Sequence, residues 1–376
     1  MGRSEASRVV AHITVEQGSL GIVQRVTMDL DDARRRYRYS FTAEDHRRLP
    51  FYSALMTALE NDLVAQVLLA GIRVEQRNPM LVLASLHLAA LRGHAVLAPI
   101  YLAARQGSMF DPEVAARRVL EVVNAEPELV RSQLHRSTQT NEPGRSAVFQ
   151  AVIALIARNG HPSINLIDVG TSAGLNLYFD QYPVRVTDDD NALTLVCRDE
   201  TPVDRSLALP SVATRVGIDP SPLDLANDDD RLWLEACLWP EEPRRMARLE
   251  AIIAQRTSWP EVTVLRGTAG ERLDDALALG DPSMLSVVLN SYVVAYFSPD
   301  EQTAFFNDMV ERCAQGNVAW ISLESPFMVN FPTTSTESES ARKGATEVLV
   351  TLPGSAPRQW GWCHHHGLWT ELDVPG

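Results

Sequence analysis

The chain has 376 residues, which is long enough for one large domain or two ordinary ones. Its formal net charge of −14 opposes binding to nucleic-acid phosphates. Its four cysteines are widely separated, which favours a reducing compartment and argues against a zinc or disulfide framework. No apolar run is long and clean enough for a membrane span. We therefore expect a cytoplasmic protein with no nucleic-acid partner and no membrane association.

The first part of the chain is predicted to be helical. Residues 1–40 are expected to form an N-terminal extension, and residues 41–145 a helical domain or cap. In FYSALMTALENDLVAQVLL, apolar residues recur at spacings of three and four, as on one face of a helix. A further helix is predicted to begin at Asp111, because aspartate is a preferred N-cap residue and Pro112 suits the first turn of a helix.

Residues 146–376 show a different pattern, in which β-rich runs alternate with helical segments. The runs are INLIDVG, TRVGID, EVTVLRG, MLSVVLN and VAWISLE. Continuous apolar strands that alternate with helices indicate a parallel sheet covered on both faces. The later runs TEVLVTL and GLWTELDV predict an antiparallel pair at one edge. We therefore predict an α/β fold with a Rossmann-like, doubly wound, mostly parallel sheet of about seven strands.

The stretch DVGTSAG follows the first predicted strand and leads into a predicted helix. Small residues at such a turn let a ligand approach the backbone, and the amides of a following helix favour polar or negative groups. The dinucleotide pattern requires glycines at relative positions one, three and six, but the chain has Gly170, Ser172 and Leu175 there. Two other kinds of functional turn match this sequence better.

One alternative is a nucleophile elbow, G-x-S-x-G, which matches Gly170 to Gly174 and would make Ser172 the nucleophile of a serine hydrolase. The elbow also needs a downstream acid and histidine. The histidines that follow are at positions 364–366, near the end of the sequence. In addition, residues 41–135 are predicted to be helical, where an elbow would need preceding strands.

The other alternative is the acidic-x-G-x-G-x-G turn of methyltransferases that use S-adenosylmethionine. Asp168, Gly170 and Gly174 match it, and Ser172 replaces the middle glycine. This hypothesis requires an acid at the end of the second strand to bind ribose hydroxyls, and Asp219 lies there. Because Gly174 and Asp219 are far apart in sequence, residues 183–210 are predicted to be an insertion.

Two further strands supply the remaining elements of a methyltransferase site. Thr268 and Ala269 follow the third strand and are predicted to lie beside the adenine. Asn290 and Tyr292 follow the fourth strand and are predicted to face the reaction centre as catalytic residues. The order of the four elements along the chain supports this hypothesis more strongly than any one motif.

The sequence resembles a large bacterial family, domain of unknown function 2332. The blocks that carry the resemblance are QTNEPGRSAV, DVGTSAGLNL, GIDPSPLD, LEACLWPEE, NSYVVAY and HGLWTEL, and the match covers nearly the whole chain from about residue 45. The resemblance implies an α/β half similar to class I methyltransferases but no established reaction. Where Gly-Asp-Ala is expected after the third strand, the chain has Gly267-Thr268-Ala269. Thr268 thus replaces an acid that could accept a hydrogen bond from the adenine amine.

The block TNEPGR supplies predicted substrate-binding residues ahead of the α/β domain. Asn141, Glu142 and Arg145 are expected at the rim of a cleft, where the guanidinium of Arg145 could pair with a carboxylate. The structural alternative is a helix cap with a surface ion pair. No metal site is predicted, because adjacent histidines at 364–366 on an extended segment point to alternate sides.

The leading hypothesis is methyl transfer from S-adenosylmethionine to an unidentified small molecule. The alternatives are a non-catalytic protein that binds a ligand or regulates through its helical region, and a serine hydrolase that uses Ser172. The sequence makes no prediction about the acceptor atom or the oligomeric state, because one fold hosts many reactions.

Overall fold

The computed structural model describes residues 20–41, 43–72, 74, 77–108, 111–187, 189–329, 331 and 345–373. The chain divides into two compact units, Met1–Thr138 with Glu235–Met246, and Gln139–Leu234 with Ala247–Gly376. Residues 1–19 of the predicted N-terminal extension lie outside the described part.

The first unit is helical. Its helices are α1 (Leu20–Tyr39), α2 (Ala43–Arg48), α3 (Pro50–Glu60), α4 (Leu63–Ala70), α5 (Pro79–Leu91), α6 (Leu97–Arg105), α7 (Pro112–Ala125) and α8 (Glu128–Arg131). As the sequence predicts, α7 begins after Asp111, whose carboxylate accepts a hydrogen bond from the backbone N–H of Val114 (3.0 Å). None of the helices in the described ranges combines the length and apolar character needed to cross a bilayer.

The second unit contains the strands. They are β1 (Ser163–Val169), β2 (Val184–Arg185), β3 (Leu195–Val196), β4 (Arg198–Asp199), β5 (Ser211–Asp219), β6 (Thr263–Arg266), β7 (Leu285–Ser291), β8 (Val318–Glu324), β9 (Ala345–Thr351), β10 (Arg358–His364) and β11 (Trp369–Leu372). The remaining α-helices are α9 (Ser146–Ala157), α10 (Asp228–Ala236), α11 (Pro243–Gln255), α12 (Ala269–Ala278) and α13 (Pro299–Gln315). The division between the two units falls within α10 and α11.

The main sheet has nine strands among the described residues, in the order β4-β11-β10-β9-β8-β7-β1-β5-β6. The strands from β6 to β8 in this order are mutually parallel, and β9, β10 and β11 continue the sheet antiparallel. Along the chain, the parallel strands first run from β1 to one side and then, from β7, to the other. The sheet therefore has a topological switch point between β1 and β7, where open α/β sheets bind ligands at the carboxyl ends of their strands.

The sheet is covered on both faces because its central strands are apolar on both. In β1, Ile164 and Leu166 join the core that includes helix α9, whereas Ile167 and Val169 join the core that includes helices α12 and α13. Strand β7 lies between β1 and β8 and is buried along its whole length. This two-sided burial explains why its sequence LSVVLNS does not alternate between polar and apolar residues.

The α/β class and the mostly parallel sheet are confirmed, but the expected strand number and edge pairing are wrong. The sheet has nine strands rather than about seven. The runs TEVLVTL and GLWTELDV do not pair with each other, because the unpredicted strand β10 lies between β9 and β11. The segment predicted as an insertion contributes β2 and β3 to a small parallel sheet and β4 to the edge of the main sheet.

The element after β1 also differs from the prediction. A 3-10 helix, Leu175–Gln181, follows the turn in place of an α-helix, with a break in helical geometry at Tyr178. The N–H of Leu175 at its start donates to Oδ1 of Asn141 (2.9 Å). This short helix therefore does not supply the set of ligand-facing amides that the sequence suggested.

Candidate functional site

The turn after β1 adopts an unusual backbone conformation. Gly170, Ser172 and Gly174 have φ of 77°, 54° and 77°, and such values are rare for a residue with a side chain, as at Ser172. The N–H groups of Gly170 and Thr171 both donate to the carbonyl of Ile218 (2.8 and 3.1 Å), which ties the turn to the end of β5. Backbone strain held by neighbouring strands is common at ligand sites.

The glycine at position 170 is required by a neighbouring side chain. A Cβ atom at Gly170 would collide with the side chain of Val293, which follows β7. Gly174, in contrast, has no such neighbour, since the nearest atom to an added Cβ is Cδ1 of Leu177 at 3.7 Å. Gly170 therefore allows the two turns at the switch point to pack together, and only Gly174 leaves space beside the backbone.

Asp168 lies near the end of β1 and is only 2% exposed. Its Oδ2 has no hydrogen-bond partner among the residues that the structure describes. Burial raises the pKa of Asp168 to about 7; the nearby carboxylate of Asp219 adds to the rise, whereas Thr171 and Arg145 oppose it. A buried carboxyl oxygen without a partner is uncommon in native proteins, and a water molecule or a ligand can supply the missing bond.

Asp219 closes β5 and points toward the turn after β1. The N–H of Ser172 donates to its Oδ2 (2.9 Å), and the N–H of Ser221 donates to its Oδ1 (2.7 Å). Burial raises the pKa of Asp219, and these two amides oppose the rise. Each carboxylate oxygen has two lone pairs, so both oxygens keep the capacity to accept a second bond.

The predicted adenine residues have structural roles. Thr268 is exposed and is the N-cap of α12, and its N–H and hydroxyl both donate to Oε2 of Glu271 (2.8 and 3.0 Å). Ala269 is the first residue of α12, and its side chain is buried in the core between this helix and the sheet. Neither residue offers a side-chain polar group that is not already used in capping or packing.

Asn290 belongs to a buried hydrogen-bond network and has no exposed surface. Its Nδ2 donates to Oγ of Ser322 and to Oε1 of Glu324 (both 2.9 Å), and Nε1 of Trp320 donates to its Oδ1 (2.7 Å). Its amide is therefore used by the protein itself, which makes it a positioning residue for the turn after β7.

Glu324 is a site residue that the sequence analysis missed. Its Oε1 also accepts bonds from the N–H groups of Val293 and Val294 (3.0 and 3.1 Å), whereas its Oε2 has no partner within the described ranges. Burial raises the pKa of Glu324 to about 7 against the opposing effect of these donors. The sequence carries a signal for it, because Glu324 ends VAWISLE in the way that Asp219 ends TRVGID.

Tyr292 occupies the turn after β7 with a φ of 53°, a second strained position beside the switch point. Its hydroxyl shares a hydrogen bond with Oγ1 of Thr346 (2.7 Å), and the guanidinium carbon of Arg145 lies 4.6 Å from its ring centroid. Burial raises the pKa of Tyr292 to about 12, so the phenol is neutral at physiological pH.

The three predicted substrate residues are buried rather than at a rim, and two of them join separate parts of the chain. Oδ1 of Asn141 accepts the N–H of Leu175, which follows the glycine turn (2.9 Å). Nε of Arg145 donates to the carbonyl of His365 (2.9 Å), and its Nη1 donates to Oγ of Ser291 (3.2 Å).

Glu142 accepts the N–H of Gly144 (2.8 Å) and pairs with Arg248 (3.7 Å). The block TNEPGR thus connects the turns after β1 and β7 to the segment after β10.

The histidine segment differs from the prediction. The rings of His364 and His365 are 4.1 Å apart between centroids, as are those of His365 and His366. The expectation that these side chains point to alternate sides is wrong, because β10 ends at His364 and the chain turns there.

A nucleophile elbow at Ser172 receives no support from its surroundings. Within the described residues, the hydroxyl of Ser172 has no hydrogen-bond partner and thus no base in contact. Residues 364–366 therefore do not supply a hydrogen-bonded base to this hydroxyl.

The carboxyl ends of β1, β5 and β7 bring Asp168, Ser172, Asp219 and Tyr292 together at the switch point, and Arg145, which precedes α9, lies over the ring of Tyr292. The fold and this cluster define an α/β protein with a candidate small-molecule site at the edge of a mostly parallel sheet. The family model described as "Uncharacterized protein conserved in bacteria" (DUF2332) matches residues 34–371, and the chain belongs to this family. No curated protein and no solved structure matches the chain.

Proposed function

We propose that the protein binds S-adenosylmethionine at the switch point and transfers its methyl group to a small molecule. The observation that carries the proposal is the buried carboxyl of Asp168, whose Oδ2 has no partner among the described residues, beside the strained turn at Ser172. Two adjacent strand ends present carboxylates there, since Asp219 of β5 faces the same turn.

The charges of the cluster fit the cofactor. The methionine part of S-adenosylmethionine carries an α-ammonium and an α-carboxylate group, and Asp168 and Arg145 offer the complementary negative and positive charges. Asp219 has lone pairs left for the two ribose hydroxyls. The hydroxyl of Ser172, which is buried and without a partner in the described structure, is available for a further polar group of the cofactor.

When bound, the cofactor supplies a methyl group on a positively charged sulfur, which is already electrophilic. The task of the chain is therefore to orient the two reactants and exclude water. Tyr292 faces this region with a strained backbone, which Glu324 and Asn290 hold through their bonds around the turn after β7. In this proposal Tyr292 contacts the acceptor and Asn290 positions Tyr292.

Ligand binding without methyl transfer is the second candidate function, and two observations favour it. Thr268 is used as a helix cap instead of providing an acid for the adenine amine. Val293 packs closely against Gly170, one of the residues of the predicted cofactor-binding turn. Both features reduce the contacts available to S-adenosylmethionine without removing the cluster around Asp168.

Calorimetry with S-adenosylhomocysteine tests the proposal. We expect micromolar binding by the wild type and affinity at least about thirtyfold weaker in Asp168→Asn, which removes the charge but keeps the shape and is equivalent to about 2 kcal/mol. The matched control is Asp224→Asn, the same change at an exposed residue near the end of β5. Absence of binding by the wild type would overturn the proposal.

A second measurement separates the two candidates. Radiolabelled S-adenosylmethionine incubated with a small-molecule extract yields labelled product if the protein transfers methyl groups. Binding without any transfer supports the non-catalytic candidate. Covalent labelling of Ser172 by a fluorophosphonate probe would instead favour a hydrolase.

A further inference from the structure

We propose that His364, His365 and His366 form a binding site for a divalent transition-metal ion, with Zn²⁺ as the ion of best fit. The ring nitrogens that these residues offer lie within 4.8 Å of one another. His364 and His366 are buried, at 5% and 6% exposure, and His365 is half-buried. This inference does not depend on the proposed methyl transfer, because it concerns different side chains and a different ligand.

The convergence of three consecutive side chains results from a turn. β10 ends at His364, and the N–H of Gly367 donates to the carbonyl of His364 (2.8 Å), which closes a tight turn. As a result, the ring centroids of His364 and His366 are only 5.7 Å apart, and the ring of His365 lies 4.1 Å from each.

The turn is held firmly by the block TNEPGR. Gly367 has a φ of 72°, and a Cβ atom there would collide with the carbonyl of Gly144. A Cβ atom at Gly144 would in turn collide with the carbonyl of His366. Arg145 adds a hydrogen bond from its Nε to the carbonyl of His365 (2.9 Å). A turn fixed from outside keeps the three rings together before any ion arrives, which favours binding.

The ligand set indicates the class of ion. Imidazole nitrogen suits Zn²⁺, Ni²⁺ and Cu²⁺, and three histidines with one open position are a known Zn²⁺ arrangement. Zn–N bonds of 2.0–2.1 Å set nitrogens about 3.4 Å apart, so the nitrogens must close by up to about 1.4 Å, and the stacked rings of His364 and His365 must also turn toward the ion.

The three ligands are not equivalent. The N–H of His366 donates to Nδ1 of His364 (3.0 Å), and coordination by His364 has to disturb this bond.

The experiment is a titration of the full chain, produced without a polyhistidine tag and treated with a chelator. Competition between the protein and a chromophoric chelator measures Zn²⁺ affinity, and the visible absorption of Co²⁺ reports the geometry. We expect one ion per chain, with affinity at least about tenfold weaker in His365→Ala and in His366→Ala, since loss of a second-shell partner alone costs that much. His161→Ala is the matched control, because His161 precedes β1 in the same unit, and its affinity should equal that of the wild type.

His365→Gln is the second variant, since it keeps a polar side chain in the turn, and circular dichroism verifies the fold of each protein. The site is supported if both His365 variants lose Zn²⁺ affinity and keep a native circular dichroism spectrum. Absence of bound Zn²⁺ in the wild type, or equal affinity in the wild type and His365→Gln, overturns it. Binding of S-adenosylhomocysteine affects neither outcome, so failure here is distinct from failure of the proposed methyl transfer.

Discussion

Strand β1 carries a buried polar side chain near each of its ends, and the two side chains differ in how completely they are hydrogen-bonded. Asn165, near the amino end, uses its whole amide. Its Nδ2 donates to the carbonyl of Asp281 (2.8 Å) and to Oγ of Ser286 (3.3 Å), and its Oδ1 accepts from Oγ1 of Thr214 and the N–H of Asp281 (both 3.1 Å). Asp168, near the carboxyl end, has an oxygen with no partner among the described residues.

This difference in hydrogen bonding distinguishes a buried polar group that the fold explains from one that it does not explain. A buried amide that makes all four of its bonds is explained by the fold alone. A buried acid with an oxygen left over, and with a pKa raised to about 7 by burial, is not explained by hydrogen bonds within the fold, and the proposed ligand is placed there for that reason. Burial is almost the same for both, at 1% and 2% exposure, so satisfaction rather than burial makes the distinction.

The largest expected effect is a dependence of stability on pH. The folded-state pKa of Asp168, about 7, lies above the ordinary aspartate value of 3.8, so the folded protein holds this proton more tightly than the unfolded chain. The stabilisation is complete below about pH 4 and is lost as the pH rises through about 7. At about 1.4 kcal/mol for each pKa unit, Asp168→Asn should gain on the order of 4 kcal/mol over the wild type between pH 4 and 8.

Urea unfolding at several pH values measures this gain. Glu324, which has a pKa of about 7 for the same reason, remains in both proteins and cancels in the comparison. An unfolding free-energy difference between Asp168→Asn and the wild type that does not change with pH would contradict the prediction.

The next effect is at the amino end of the same strand. Asn165→Ala removes four hydrogen bonds, including one to the buried hydroxyl of Ser286, which should cost about 3 kcal/mol of unfolding free energy. The cost should be the same at pH 5 and pH 8, since no ionisable group is changed. If Asn165→Ala costs less than Asp168→Asn at pH 5, the contrast between the two ends of β1 does not hold.

A smaller effect separates the two glycines of the turn. Gly170→Ala places a side chain in the left-handed region and against Val293, and should cost at least about 2 kcal/mol. Gly174→Ala has the same φ but no collision, and should cost about 1 kcal/mol. Denaturant unfolding of both variants measures the difference, and equal costs would show that Val293 moves aside freely.

The smallest effect concerns Thr268, a polar residue at the same edge that the structure uses as a cap. Thr268→Ala should cost about 1 kcal/mol of stability, because the N-cap of α12 is lost. The affinity for S-adenosylhomocysteine should stay within about twofold of the wild type, a free-energy change of about 0.4 kcal/mol. A larger loss of affinity in calorimetry would return Thr268 to the cofactor site.

The sequence predicted the central strands well because they are buried on both faces. The runs predicted at 164–170 and 284–290 correspond to β1 and β7 with shifts of one residue. Strand β10 was missed because it is irregular: its register shifts between Gln359 and Gly361, and Gly361 has a φ of 145°. An irregular strand with glycine at its centre lacks the alternation on which strand prediction depends.

The candidate site could be predicted only where it follows strand ends. Asp168 and Asp219 follow from the rule that ligands bind at the carboxyl edge of a parallel sheet. The use of Asn290 in a closed network with Trp320 could not be predicted, since it depends on the side-chain packing of two neighbouring strands. Nor could the bond between Arg145 and His365, whose partners are 220 positions apart in the chain.

That same bond, together with the close approach of Gly144 and Gly367, has a consequence for biosynthesis. The segment ahead of the first strand reaches its final partners only after residue 367 has left the ribosome, so the polar cluster cannot be completed while the earlier strands are being made. Contacts between such distant positions also slow folding, because a long loop must close before they form. Newly made chains should therefore acquire ligand-binding competence as one of the last events of their maturation.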